Sequence, residues 1–223
     1  MQLNLIFHNV VESERELNNK YTVTLEFLKE IIERIELSIN NQQTVFKNLN
    51  LYFDDGYESF ESLVLPYVFN KPYPIKLSVI TQKLGQKGYL NKTSIRRLVK
   101  QNILIVSHGV SHSALAVYKD SELQLTAKGG VYRNSPFGQG EVLSDAEVLY
   151  QLIESKKSIE TEFKIKCDEF VFPYGLYNND VVALNYKYGI YTYMSTCDEY
   201  LDGGQFLKPR YLIDHERNVR VTI

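Results

Sequence analysis

The sequence contains no tryptophan, only two cysteines, and no apolar run of membrane length. Cys167 and Cys197 lack the CxxC spacing, which removes a disulfide framework and a thiolate zinc site as organising features. No stretch approaches the ~20 consecutive apolar residues that a membrane helix requires. The segment Met1-Gln2-Leu3-Asn4-Leu5-Ile6-Phe7 has no basic leader and no apolar core of signal length, so a cytoplasmic location is the expectation for the chain as written. A formal charge of −2 offers no electrostatic footprint for nucleic acid. Repeats, low-complexity tracts and linkers are missing as well. What remains is an ordinary globular composition, 44% apolar and 23% charged over 223 residues. That length lets one domain, residues 1–223, bury a core without staples. Tyrosine is abundant at 17 residues, which serves strand packing as readily as stacking on sugar rings.

Along the chain, short apolar strands alternate with amphipathic helices. Residues 3–7 read as a buried strand with His8 at its C-terminal end. Thr24 caps a helix with Leu25, Leu28, Ile31, Ile32 and Ile35 at helical spacing. Residues 49–53 form a second strand. A helix over about 57–69 follows, with Phe60, Leu63 and Val64 inward and a kink expected at Pro66. After the Lys71-Pro72-Tyr73-Pro74 turn come a strand at 75–80, a helix at 93–100 and a strand at 102–106. Residues 119–143 read as an irregular excursion or a hairpin. Ser144-Asp145-Ala146-Glu147 is a capping box that opens a helix to about 162, with Val148, Leu149, Leu152, Ile153 and Ile159 inward. Strands at 169–172, 190–194, 211–213 and 219–223 complete the series, with a helix capped by Asn178 or Asn179 and stopped by Gly189. This alternation favours a parallel α/β sheet, open or closed into a barrel.

His8, Asp54-Asp55, His108 and Pro173-Tyr174-Gly175 all stand just past the C-terminal ends of different strands. In α/β folds that edge is where sites are built. Phe53-Asp54-Asp55-Gly56 is central, since a strand there delivers two adjacent carboxylates and a glycine turns the chain away. Side chains alternate along a strand. At a strand end the alternation breaks down, so both carboxylates can approach one small volume, where a cation relieves their repulsion. The tetrapeptide alone also admits a βα turn in which Asp55 caps the next helix and Asp54 is solvated. His108 and His112 face one way if their segment is a helical turn, although such pairs also arise by chance on surface helices. Two histidines and a carboxylate make a zinc set with a position left open for water. Asp55, His108 and His112 supply such a set, and Asp54 is left over as a base.

These residues resemble the motifs of the polysaccharide deacetylases of the NodB-homology type. Phe53-Asp54-Asp55-Gly56 is similar to the T/F-D-D-G motif, which implies Asp54 as catalytic base and Asp55 as metal ligand. Ser107-His108-Gly109-Val110-Ser111-His112-Ser113-Ala114-Leu115 is similar to S-H-T-x-x-H-x-x-L, which implies His108 and His112 as metal ligands. Phe170-Val171-Phe172-Pro173-Tyr174-Gly175 resembles the F-x-Y-P-Y-G variant of the third motif. Order and spacing match from residue 3 to about 213. The resemblance implies an α/β fold, a distorted (β/α)7-like barrel of the polysaccharide deacetylase type. It also implies a carbohydrate substrate and a divalent metal, zinc first, with cobalt or nickel as substitutes.

Four departures accompany it. Val171 stands where many members carry an arginine that orients the base, so another residue must do that here. Gly109 replaces a threonine. The tryptophan motif has no counterpart. The late L-x-H motif, whose histidine is the general acid, is absent in plain form, and Tyr211-Leu212-Ile213-Asp214-His215 has the wrong spacing. Relatives acting on poly-N-acetylglucosamine take the acid from a Y-H at the end of the first strand, and Phe7-His8-Asn9-Val10 is similar to that version. His8 is therefore the expected acid, with a core histidine satisfied by backbone as the alternative. His215 is expected to be solvated. Arg210 either reaches the site, positioning Asp54 or the acid, or lies on the surface.

The chemistry implied is metal-assisted removal of an N-acyl group, N-acetyl by expectation, from an amino sugar in a poly- or oligosaccharide. The metal polarises the acyl carbonyl and lowers the pKa of a water. Asp54 takes that water's proton, and the tetrahedral oxyanion rests against the metal and the backbone N–H of Tyr174. His8 protonates the leaving amine. Two other readings stand beside this one. The substrate can instead be an intracellular nucleotide- or lipid-linked N-acyl sugar used in surface-polysaccharide synthesis, or the chain can be a catalytically silent carbohydrate-binding homologue.

Overall fold

The computed structural model describes residues 1–119, 122–125, 143–197 and 207–214. They divide into two compact units. One holds Met1–Ser78, Leu84–Ile105 and the segment from Arg210, and the other holds Val79–Lys83 and Val106–Pro209.

The first unit begins with β1 (Gln2–Phe7), β2 (Val10–Val11) and β3 (Val23–Thr24), followed by α1 (Leu25–Asn40). Thr24 caps α1 as its sequence requires, its hydroxyl accepting from the Phe27 N–H at 3.2 Å, and Leu28, Ile31, Ile32 and Ile35 are buried. Next come β4 (Asn48–Phe53), a π-helical turn at Phe60–Val64 and the short helix α2 (Leu65–Val68). The π turn is the kink expected of Pro66, which has no N–H to continue the ladder and crowds the preceding turn. The wider turn aligns Phe60, Val64 and Val68 in the core and leaves Leu63 only half-buried, unlike the inward place read for it. β5 (Ile75–Val79) and α3 (Lys92–Lys100) follow; Asn91 caps α3 through the Ser94 N–H at 2.9 Å.

β6 (Leu104–Ser107) begins in the first unit and ends in the second, which then holds the antiparallel hairpin of β7 (Ala116–Lys119) and β8 (Glu122–Leu125). The rest of the 119–143 excursion lies outside the described residues. The expected capping box opens α4 (Asp145–Phe163), whose buried stripe is Val148, Leu152, Ser155, Ile159 and Phe163. Leu149 is half-buried and Ile153 is 40% exposed, against the sequence expectation. Ser155 faces inward instead because its hydroxyl has partners there, Ser107 at 2.8 Å and Tyr191 at 3.0 Å. β9 (Glu169–Val171), α5 (Asn179–Tyr188), β10 (Tyr193–Thr196) and β11 (Leu207–Pro209) follow. Asn178 caps α5, and Gly189 ends it in the left-handed conformation, at φ 58°. β12 (Tyr211–Leu212) returns to the first unit. The expected strand at 219–223 and His215 lie outside the described residues.

The main sheet runs β11-β10-β9-β6-β5-β4-β1-β12, with parallel pairing. Its two end strands are consecutive in the chain, separated only by Arg210. Residues 207–209 pair with β10, and 211–212 pair with β1. Counted as one strand, that stretch leaves seven, and the sheet nearly closes, as in a distorted (β/α)7 barrel.

The faces of the sheet differ in polarity. Leu3, Leu5 and Phe7 of β1 and Leu49, Leu51 and Phe53 of β4 alternate onto one face, where Phe7 stacks on Phe53 at 5.6 Å. Asn4, Asn50 and Tyr52 fall on the other, with Lys76 and Ser78 of β5. The Asn50 amide donates to Asn4 Oδ1 at 2.8 Å there.

Candidate metal centre and active site

The carboxylate pair sits where β4 ends. Asp54 continues the strand, its N–H donating to the Phe7 carbonyl at 2.9 Å, and it is buried. Asp55 then takes φ 73° and Gly56 φ 79°, so the chain turns sharply and the second carboxylate leaves the strand's alternation. Asp55 caps no helix: the next turn of helix starts at Phe60, with Ser59 at its N-cap. Asp54 is not solvated either. Arg210 Nη1 donates to both of its oxygens, at 3.0 and 3.1 Å, and Ser78 Oγ donates to Oδ1. Arg210 is 0% exposed, which overturns its reading as a surface residue. The buried guanidinium and the hydroxyl together hold the carboxylate charged and in one orientation. Arg210 thus fixes the Asp54 carboxylate from a position far from Val171 in the chain.

His8 follows β1 and is partly exposed. Its Nδ1 is enclosed and meets no hydrogen-bonding group among the described residues, so it is not a core histidine satisfied by backbone. The Tyr21 ring packs on it at 5.3 Å. The next residue is anchored, Asn9 Oδ1 accepting from Ser59 Oγ at 2.8 Å.

In the second unit, the His108 N–H donates to the Val79 carbonyl at 3.0 Å, and Gly109 and Val110 accept from Thr81 and Gln82. The segment is not a helical turn, the one condition under which the four-residue spacing by itself faces both rings one way. Gly109 at φ 80° and His112 at φ 59° make an open bend that brings the two imidazoles together, ring centroids 4.8 Å apart. Gln151 of α4 holds the bend, its Oε1 accepting from Val110 N–H at 3.0 Å and Ser111 N–H at 3.3 Å. His108 Nδ1 lies 2.8 Å from the Val171 carbonyl. A carbonyl only accepts, so Nδ1 carries the proton and Nε2 is left as a ligand, the arrangement by which outer partners orient metal-binding histidines. Tyr174, at φ 60°, packs its ring 4.5 Å from that of His112. Gly175, at φ 68°, completes this turn, and a Cβ on it would meet Cys197 Cβ at 2.7 Å.

Among the described residues, six non-glycine residues have positive φ: Gln42, Asp55, Asn102, His112, Lys164 and Tyr174. Gln42, Asn102 and Lys164 stand at or just after helix C-termini, where that conformation is ordinary. Asp55, His112 and Tyr174 are three of the residues the sequence singles out, and strain of this kind gathers at functional sites.

Asp55, His108 and His112 each offer one ligand atom, and these atoms all lie within 4.8 Å of one another. Two imidazole nitrogens and a carboxylate oxygen, one imidazole already oriented by its outer partner, suit a divalent ion.

Sequence reading missed Ser78 and Gln151. The alternation of Ile75-Lys76-Leu77-Ser78-Val79 carried the signal for Ser78, since a strand buried on both faces has no reason to alternate. Tyr57 and Tyr89 were missed too. Their rings stack at 5.2 Å, and the Tyr57 hydroxyl bonds to Asp55, with burial and that carboxylate both raising its pKa.

No curated protein sequence matches the chain. Several solved structures share its fold. A de-N-acetylase from Aggregatibacter actinomycetemcomitans superposes with TM-score 0.72 at 17% identity, covering 97% of this chain and 96% of that one. IcaB from Ammonifex degensii gives 0.72 at 13% identity, over 96% and 92%. The Streptococcus pyogenes deacetylase PplD, in complex with acetate, gives 0.66 at 17%, over 95% and 92%. At such identities the likeness is one of fold. The polysaccharide deacetylase profile matches residues 41–193, a span that includes the carboxylate pair, both ligand histidines and the Pro-Tyr-Gly turn. The chain belongs to the polysaccharide deacetylase family.

Proposed function

We propose that the protein removes an N-acyl group, N-acetyl first, from an amino sugar in a poly- or oligosaccharide, with zinc held by Asp55, His108 and His112. The observation that carries the reading is the split of the carboxylate pair. Asp55 joins the two histidines, while Asp54 is fixed by Arg210 and Ser78. When bound, a divalent ion supplies Lewis-acid polarisation of the acyl carbonyl and acidification of a water. Asp54 Oδ2, the oxygen without the Ser78 bond, accepts the proton of the attacking water. The Tyr174 N–H, presented by its left-handed turn, faces the developing oxyanion. His8 gives its proton to the leaving amine nitrogen. The acyl group is supported by likeness to a de-N-acetylase and to a deacetylase in complex with acetate, and the carbohydrate by the family profile. A base oriented by Arg210 speaks against a catalytically silent carbohydrate binder.

The test is an acetate-release screen over N-acetylated amino-sugar oligomers, with bound metal measured on the same samples. Asp54→Asn is expected to abolish release while metal content persists, and His112→Ala to lose the metal. Full activity in either variant would sink the mechanism.

A further inference from the structure

Beneath Asp54, on the polar face of β4 and β5, one aromatic ring meets two buried cations. Arg210 Cζ lies 4.9 Å from the centroid of the Tyr52 ring, and Lys76 Nζ lies 4.8 Å from the same centroid. Lys76 also donates to the Tyr52 hydroxyl at 2.8 Å. Tyr52 and Lys76 are register partners, Tyr52 and Arg210 are 0% exposed and Lys76 is 7% exposed. Burying an ammonium and a guanidinium costs solvation that apolar side chains at these positions would keep. A flat, electron-rich wall gives something apolar side chains cannot. It sets the plane of the guanidinium, and that plane sets the orientation of the Asp54 carboxylate. With Val171 in the motif's arginine position, orientation of Asp54 depends on Ser78, on Arg210 and on whatever holds Arg210.

We propose that Tyr52 and Lys76 are positioning residues: the Tyr52 ring braces Arg210 against Asp54, and Lys76 pins the Tyr52 hydroxyl so that the ring cannot tilt. The proposal rests on the reading of Asp54 as the base. Tyr52→Leu, Tyr52→Phe and Lys76→Met, each alone and combined with Arg210→Met, are assayed on 4-nitrophenyl acetate with zinc supplied. The leaving group of that ester needs no acid, so the rate reports water activation without His8.

Tyr52→Leu is expected to lower kcat about 30- to 100-fold with KM and zinc content near wild type, the scale of a small misplacement of a reacting group. Tyr52→Phe keeps the ring and falls about 3-fold, and Lys76→Met about 3- to 10-fold. On top of Arg210→Met, each adds less than about 2-fold, because the brace has nothing left to hold. In metal-free protein the Arg210 side-chain NH signal in the 15N NMR spectrum broadens in Tyr52→Leu and stays sharp in Tyr52→Phe. Equal losses in both backgrounds, or an unchanged Arg210 signal in Tyr52→Leu, would overturn the proposal. If Tyr52→Leu does not fold, Lys76→Met carries the same cycle. Wild-type turnover in Asp54→Asn would instead overturn the base assignment itself, since that variant leaves Tyr52, Lys76 and Arg210 in place.

Discussion

Asp54 and Asp55 are sequence neighbours in opposite surroundings, and the difference has measurable consequences. The Asp54–Arg210 pair is buried at both ends, 2% and 0% exposed. Removing only the cation strands a carboxylate without its counter-charge, so Arg210→Met is expected to lower stability by about 3–5 kcal/mol. Asp54→Asn in the same chain should restore part of that loss, and urea denaturation of the wild type and the two variants checks both statements. Gly175 is the other residue with little latitude. A methyl there meets Cys197 and is held at φ 68°, so Gly175→Ala is expected to cost about 1–3 kcal/mol. The fall in melting temperature should come with a fall in turnover, because the Tyr174 turn moves with it.

At the scale of elements, α4 holds the bend that carries His108 and His112. Gln151→Ala removes the acceptor for the Val110 and Ser111 N–H groups, and zinc affinity should fall about 10- to 100-fold, as when other outer partners are lost. Competition with a chromogenic chelator measures it. Ser144→Ala removes the capping box at the start of the same helix. It should cost about 1 kcal/mol while leaving zinc affinity unchanged, since the cap lies about two turns of helix from Gln151. Most elements were legible because each local signal agreed with its neighbours: Thr24, Ser144 and Asn178 all cap where their side chains allow. The misses have local causes of another kind. Ile153 turned outward because the stripe of α4 passes through Ser155, whose hydroxyl finds Ser107 and Tyr191. The strand read at 190–194 became Tyr193–Thr196 because Asn185 and Asp168 take the N–H groups of Tyr191 and Thr192 first.

Across the whole molecule, burial of weak acids sets an alkaline limit. Burial pushes the Cys167 thiol from 9.0 up to about 12 and raises Tyr191, Tyr73 and Tyr57 above their ordinary 10.0. Below about pH 9 these groups are protonated in both states and stability does not depend on them. Above it the unfolded chain releases protons that the folded chain keeps, so unfolding free energy falls as pH rises. For Cys167 the loss runs from pH 9 to about 12. Urea midpoints should therefore decline steadily from pH 9 upward, and Cys167→Ala should flatten the first part of the decline.

The sequence by itself determined the parallel α/β order, the capped helices and the motif residues, because these depend on side-chain periodicity and on spacing a few residues apart. It also carried the expectation of metal chemistry, since Asp-Asp-Gly and the paired histidines are chemical types written directly in the chain. Only the tertiary structure decided that Arg210, more than 150 residues from Asp54 in the chain, pairs with its carboxylate. It alone gave Ser78 and Gln151 their tasks. A buried charge must find a counter-charge wherever the fold brings one within reach, and that distance is fixed by strand register and closure, which no local pattern encodes.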